Sequence, residues 1–128
     1  MSDRPHISAL EVARLGALLT ALHSIDVDLS LPLLLTLVAV ARQPGMSING
    51  LAKRIQVPQQ TASRYVAILQ GRYHLSSASA NSFADKPLLS LQVSTNDPRR
   101  RALFVTSHGD DVLKGIINQL YTEATRGP

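Results

Sequence analysis

The sequence contains no cysteine. Disulfides, thiolate metal sites, cysteine nucleophiles and thiol-based oxidant sensing are therefore excluded. Histidine is sparse. His6, His23, His74 and His108 are scattered and none pair at metal-ligand spacing, so no metal is expected. No basic start leads into an apolar run and a small-residue cleavage site, so no secretory signal is expected. Long apolar runs are also missing. The longest, Leu31 to Ala41, is interrupted by Pro32 and Thr36 and is too short to span a bilayer. A cytoplasmic chain without membrane contact is the expectation. There is no carboxylate pair placed for acid–base work, no phosphate-cradling glycine loop and no nucleophile beside a base. Neither an enzyme nor a cofactor is expected. Asp26 with Asp28, and Asp110 with Asp111, fall at a loop and at a helix start, where capping accounts for them.

Acidic residues are also scarce in one part of the chain. The 128 residues carry a formal charge of +4. Between Arg42 and Arg101 there are nine positive residues and two acids, a net +7, while the flanks hold four positive residues and seven acids, a net −3. A basic centre between acidic ends suits a polyanion-binding surface on a neutral or acidic support. An unevenly charged solvated surface is the plainer reading of the same pattern.

Apolar spacing marks the elements. Ile7, Leu10, Ala13, Ala17, Leu18, Ala21 and Leu22 recur near 3.6 residues and predict a helix over 7–23. Val12, Leu15 and Leu19 widen its stripe, which at a chain terminus asks for burial on more than one side and suggests a partner chain. Ser30 and Pro32 start a second helix, about 31–42, apolar nearly all round and expected to be the central core helix; Gln43-Pro44-Gly45 ends it. Ser47 starts a third, with Ile48, Leu51, Ala52 and Ile55 on one face. A short turn at Gln56-Val57 leads to a fourth helix, opened by Pro58 and running to about Gln70, with Ala62, Val66 and Leu69 inward. Residues 74–86 are rich in Ser, Ala and Asn and read as a loop with some disorder. Two strands, 88–93 and 102–106, flank Asn96-Asp97-Pro98 and form a basic-tipped hairpin. A last helix, about 108–124, aligns Val112, Ile116, Leu120 and Tyr121.

The expected fold is mainly α with a small β-hairpin wing: one winged helix-turn-helix domain over 1–128. Residues 47–70 form the helix-turn-helix and 88–106 the wing, while 7–23 and 108–124 are flanking helices for dimerisation. A helix whose outer face is polar fits the major groove. Here that face offers Gln59, Gln60, Thr61, Ser63 and Arg64. Gln pairs with adenine, Thr touches a thymine methyl, and Ser and Arg hold phosphates. Arg99, Arg100 and Arg101 tip the hairpin toward the minor groove or the backbone. Ser47 and Arg72, at the two ends of the helix-turn-helix, complete the expected contact set.

Ser47 to Leu69, SINGLAKRIQVPQQTASRYVAIL, resembles the helix-turn-helix of MarR-type transcriptional regulators, including Leu51-Ala52, Val57 and Ser63-Arg64. Asp97 to Gly109, DPRRRALFVTSHG, is similar to that family's wing signature, with Asp97, Arg99, Val105, Thr106 and Gly109 matching in spacing. The resemblance covers roughly residues 28 to 115. It implies a sequence-specific, double-stranded DNA-binding regulator of the repressor type, acting as a homodimer. It implies that Arg99 is inserted toward the minor groove and that Asp97 holds it by a charge-assisted bond. The chain departs from the pattern at Gly50, where an acid is usual, and at Gln56, where a turn glycine is common. One C-terminal helix stands where the family generally has two, which weighs against a small-molecule effector. The alternatives are a winged-helix adaptor that binds protein, which an inability to bind any duplex at low salt would favour, or a plasmid or phage replication or control protein.

Overall fold

A computed structural model describes residues 7–23, 29–72, 83–93, 96–97 and 99–126. Along the chain run α1 (Ala9–His23), α2 (Leu31–Arg42), α3 (Ile48–Ile55), α4 (Gln59–Leu69), β1 (Leu89–Val93), β2 (Arg101–Val105) and α5 (Ser107–Arg126). Among the described residues, five helices and one antiparallel hairpin make the mainly α, winged architecture that the spacing predicts. None of these helices is long and apolar enough to cross a membrane. The chain divides into two compact units, residues 27–111 and residues 1–26 with 112–128.

In the larger unit the core is built on α2, which packs against α3, α4 and β2. Leu37, Thr36 and Val40 are wholly buried on it. Thr36 is tolerated there because its hydroxyl donates to the Pro32 carbonyl at 2.9 Å, a bond within the helix. The expectation of an all-round buried helix is corrected on one side, since Leu31, Leu35 and Val38 remain exposed. Leu51 and Ala52 of α3 and Ala62, Val66, Ile68 and Leu69 of α4 complete the helical side of the core.

The hairpin closes the other side. Leu89 pairs with Val105 and Leu91 with Leu103. Leu89 and Leu103 point into the core, together with Leu88. The turn after α2 adds a third edge. Gly45 donates its N–H to the Leu103 carbonyl at 2.8 Å, and Leu103 donates to the Met46 carbonyl at 2.9 Å. Gly45 makes this turn at φ +88°, a conformation that favours glycine.

Within the segment read as a loop, 73–82 lie outside the described residues, whereas Phe83 is buried to within 1%. Gly71, at φ +78°, lets the chain pass beneath it: a Cβ at Gly71 would stand 2.5 Å from the Phe83 carbonyl oxygen.

In the smaller unit, α1 starts behind a cap that the periodicity did not reveal. The Ser8 hydroxyl accepts the Glu11 N–H at 3.0 Å, the first half of a capping box. Ala17 and Ala21 are the buried residues of α1, while Leu10, Val12, Leu15 and Leu19 are each more than half exposed.

Candidate nucleic-acid interface

α3 and α4 are joined by a turn of three residues, Gln56 to Pro58. Gln56 adopts the left-handed conformation, φ 59° and ψ 51°, the one non-glycine residue with positive φ among the described residues. Its N–H and that of Val57 both bond the Ala52 carbonyl. This satisfies the end of α3 and turns the chain sharply enough for α4 to pack across it. The resemblance places a glycine here; glutamine holds the same backbone without glycine's freedom. Pro58 sits one residue before the helix rather than in it and orients the first turn of α4.

The turn leaves one face of α4 exposed. Gln59, Gln60, Ser63 and Arg64 are exposed, and Thr61 is half-buried. Together with Pro58 and Ala67 they border a shallow concavity of about 1000 Å³. The five residues expected on this helix therefore share one surface. Ala62, Val66 and Leu69 point away from it into the core. At the far end α4 closes in a Schellman turn, with Arg72 donating to Ala67 at 2.9 Å and Gly71 to Ile68 at 2.9 Å. Arg72 stands exposed beyond that turn and borders neither the α4 concavity nor the wing-root groove described next.

A second concavity, about 670 Å³, lies at the root of the wing. Arg99, Arg100 and Arg101 line it from the hairpin, and Ser47 from the start of α3. It thus unites residues about fifty positions apart in sequence, through the pairing of Gly45 and Met46 with Leu103. Ser47 has a structural duty as well, because its hydroxyl accepts the Gly50 N–H at 2.9 Å as the cap of α3. Gln92 and Phe104 also line this groove, and sequence reading missed both. They alternate with the core residues of their strands, so only the register places them on the outer face.

Asp97 acts on the wing through the main chain. Its carboxylate accepts the Arg99 N–H at 3.1 Å, and its carbonyl accepts the Arg100 N–H at 2.9 Å. The resemblance implies a carboxylate held against the arginine side chain. The bond in the structure runs to the amide, so Asp97 shapes the turn that presents the arginines.

Thr106 fastens the base of the wing. Its hydroxyl donates to the Pro87 carbonyl at 2.6 Å and accepts the Gly109 N–H at 3.0 Å. It therefore caps α5 and ties that helix to the approach of β1. Gly109 is the counterpart: a Cβ there would collide with the Leu88 carbonyl oxygen and stand 2.7 Å from Val105 Cγ1. The threonine-to-glycine spacing of the wing signature is thus a steric requirement of the junction between strand and helix.

No protein-family model matches the sequence, and no curated protein matches it. Solved structures do match. RV1404 from Mycobacterium tuberculosis is similar at a TM-score of 0.68 and 18% identity, over 91% of this chain and 71% of that one. A MepR variant from S. aureus, bound to an oligodeoxyribonucleotide, is similar at 0.64 and 19% identity, over 90% and 72% of the two chains. The MarR family transcription regulator SP03579 is similar at 0.56 and 14% identity, over 91% and 62%. At these identities the likeness is one of fold: the chain has the winged helix-turn-helix fold of MarR-family transcription regulators.

Proposed function

We propose that the chain is a sequence-specific regulator of transcription that binds double-stranded DNA as a homodimer and acts as a repressor. The observation that carries this reading is the exposed polar face of α4, held in the same compact unit as the arginine-lined groove at the wing root. On this reading α4 lies in the major groove. Gln59 and Gln60 pair with adenine edges, Thr61 sets its methyl against thymine, and Ser63 and Arg64 hold phosphates. Arg99 enters the neighbouring minor groove, on the turn that Asp97 shapes. Arg100, Arg101, Ser47 and Arg72 supply backbone contacts. The oligodeoxyribonucleotide bound to the similarly folded MepR variant supports nucleic acid as the partner. The exposed apolar residues of α1, with Ile117 and Tyr121 of α5, supply surfaces for pairing two copies. Two-fold symmetry then calls for an inverted repeat with half-sites about one helical turn apart.

The test is a titration of a short random-sequence duplex at several salt concentrations, on the wild type and on an Arg64→Ala/Arg99→Ala variant. Salt-sensitive binding that the variant loses is the expected result, with the salt slope falling by about one unit per phosphate contact removed. No wild-type binding at low salt would replace this reading with that of a protein-binding adaptor.

A further inference from the structure

The two concavities assigned to DNA leave a third surface unexplained, between α2 and α3. A groove of about 620 Å³ runs there, with Leu35, Val38 and Ile55 as apolar lining and Arg42, Lys53 and Arg54 as cations. Among the described residues, no acidic one lines it. Arg54 reaches Gln43 across the groove at 3.3 Å. The apolar side continues along α2. Leu31, Leu35 and Val38 stand at i, i+4 and i+7, followed by Arg42, so they share one helix face. Their exposures are 72%, 49% and 36%. From Leu31 to Arg42 the helix rises ~16 Å, about three turns.

We propose that the α2–α3 groove docks an acidic, amphipathic helix of a partner protein. The partner's apolar face lies on Leu31, Leu35, Val38 and Ile55, and its carboxylates face Arg42, Lys53 and Arg54. Charge complementarity selects the sign of the partner. The apolar lining selects protein over nucleic acid, because a phosphate backbone offers nothing to bury against Leu35 and Val38, whereas an amphipathic helix lays its apolar face into such a groove. The open lining argues against a small ligand, whose sites enclose most of its surface. The proposal does not depend on DNA binding, since none of these residues belongs to the DNA-binding set.

The experiment is fluorescence anisotropy with two labelled helical peptides of about sixteen residues, roughly four turns. Both carry leucines at alternating three- and four-residue spacing; one has glutamates on its remaining face, the other lysines. The glutamate peptide is expected to bind saturably and the lysine peptide not to bind. Lys53→Glu/Arg54→Glu and Leu35→Ser/Val38→Ser are each expected to weaken binding by about tenfold or more. All four positions are exposed, so both variants are expected to fold, with thermal melts as the check. Absence of binding by the glutamate peptide, or equal binding of both peptides, overturns the proposal. So does loss of self-association in Leu35→Ser/Val38→Ser, which would assign the face to a second copy. Loss of duplex binding in Lys53→Glu/Arg54→Glu with peptide binding intact would assign the cations to nucleic acid, and overturns it equally.

Discussion

Gln56 carries a cost that its neighbours offset. A left-handed conformation disfavours any residue with a Cβ by about 1–2 kcal/mol, and the bonds to the Ala52 carbonyl hold it in place. Gln56→Gly is therefore expected to raise the unfolding free energy by about 0.5–1 kcal/mol, read from the urea midpoint, once the greater freedom of glycine in the unfolded chain is subtracted. Gly109 is the opposite case. Gly109→Ala drives a methyl into the Leu88 carbonyl and Val105, neither of which is a flexible side-chain end. An overpacking loss of about 2–3 kcal/mol is expected in the same measurement. Both positions were legible in the sequence: Gln56 stood where the similar family has a turn glycine, and Gly109 stood at signature spacing from Thr106. Gly71 was not legible. It is required by the passage of Phe83, a single aromatic in a polar stretch, and no local periodicity announces a contact made twelve residues away.

Among the elements, the helices were legible because each writes its buried face at a spacing that needs no distant partner. The α3 and α4 stripes fell where Leu51, Ala62, Val66 and Leu69 predicted. The exposed side of α2 was not legible, since leucine and valine look alike on a buried and an exposed face. Nor was the third edge of the hairpin, because Gly45 and Met46 find Leu103 across nearly sixty residues. The wing depends on small polar devices. Thr106→Val removes both the cap of α5 and the bond to Pro87 while keeping the shape of the side chain. A loss of about 1–2 kcal/mol is expected by denaturation. Asp97→Ala acts differently, because its turn lies away from the core. The denaturation midpoint is expected to move little, while affinity for a duplex falls several-fold, about 1 kcal/mol, as the turn that presents Arg99 loosens.

For the molecule as a whole, composition placed a basic centre between acidic flanks, and the structure gathers much of that charge at the wing root and beside α3. The sequence could not separate these two clusters, because charge along a chain carries no information about which face it reaches. The proposed pairing of two copies rests on α1, where Ala17 and Ala21 are buried while Leu10, Val12, Leu15 and Leu19 are exposed. Leu15→Glu/Leu19→Glu is expected to yield a monomer by sedimentation velocity with the helical content retained. Affinity for a two-half-site duplex is expected to fall toward that for a single half-site, as the gain from linked binding is lost. A dimer unaffected by both charges would move the pairing surface off this face of α1.

Gly45 and Met46 hold the carbonyl and the N–H of Leu103 along one edge of β2, so the entrance to α3 and the strand that carries the arginines are one piece. A calliper whose jaws are riveted to one frame has a single gauge. On the proposed reading, DNA held by both jaws has to bring its own grooves to that gauge. Sites whose minor groove is naturally narrow, or cheap to narrow, would then be chosen at base pairs that no side chain touches.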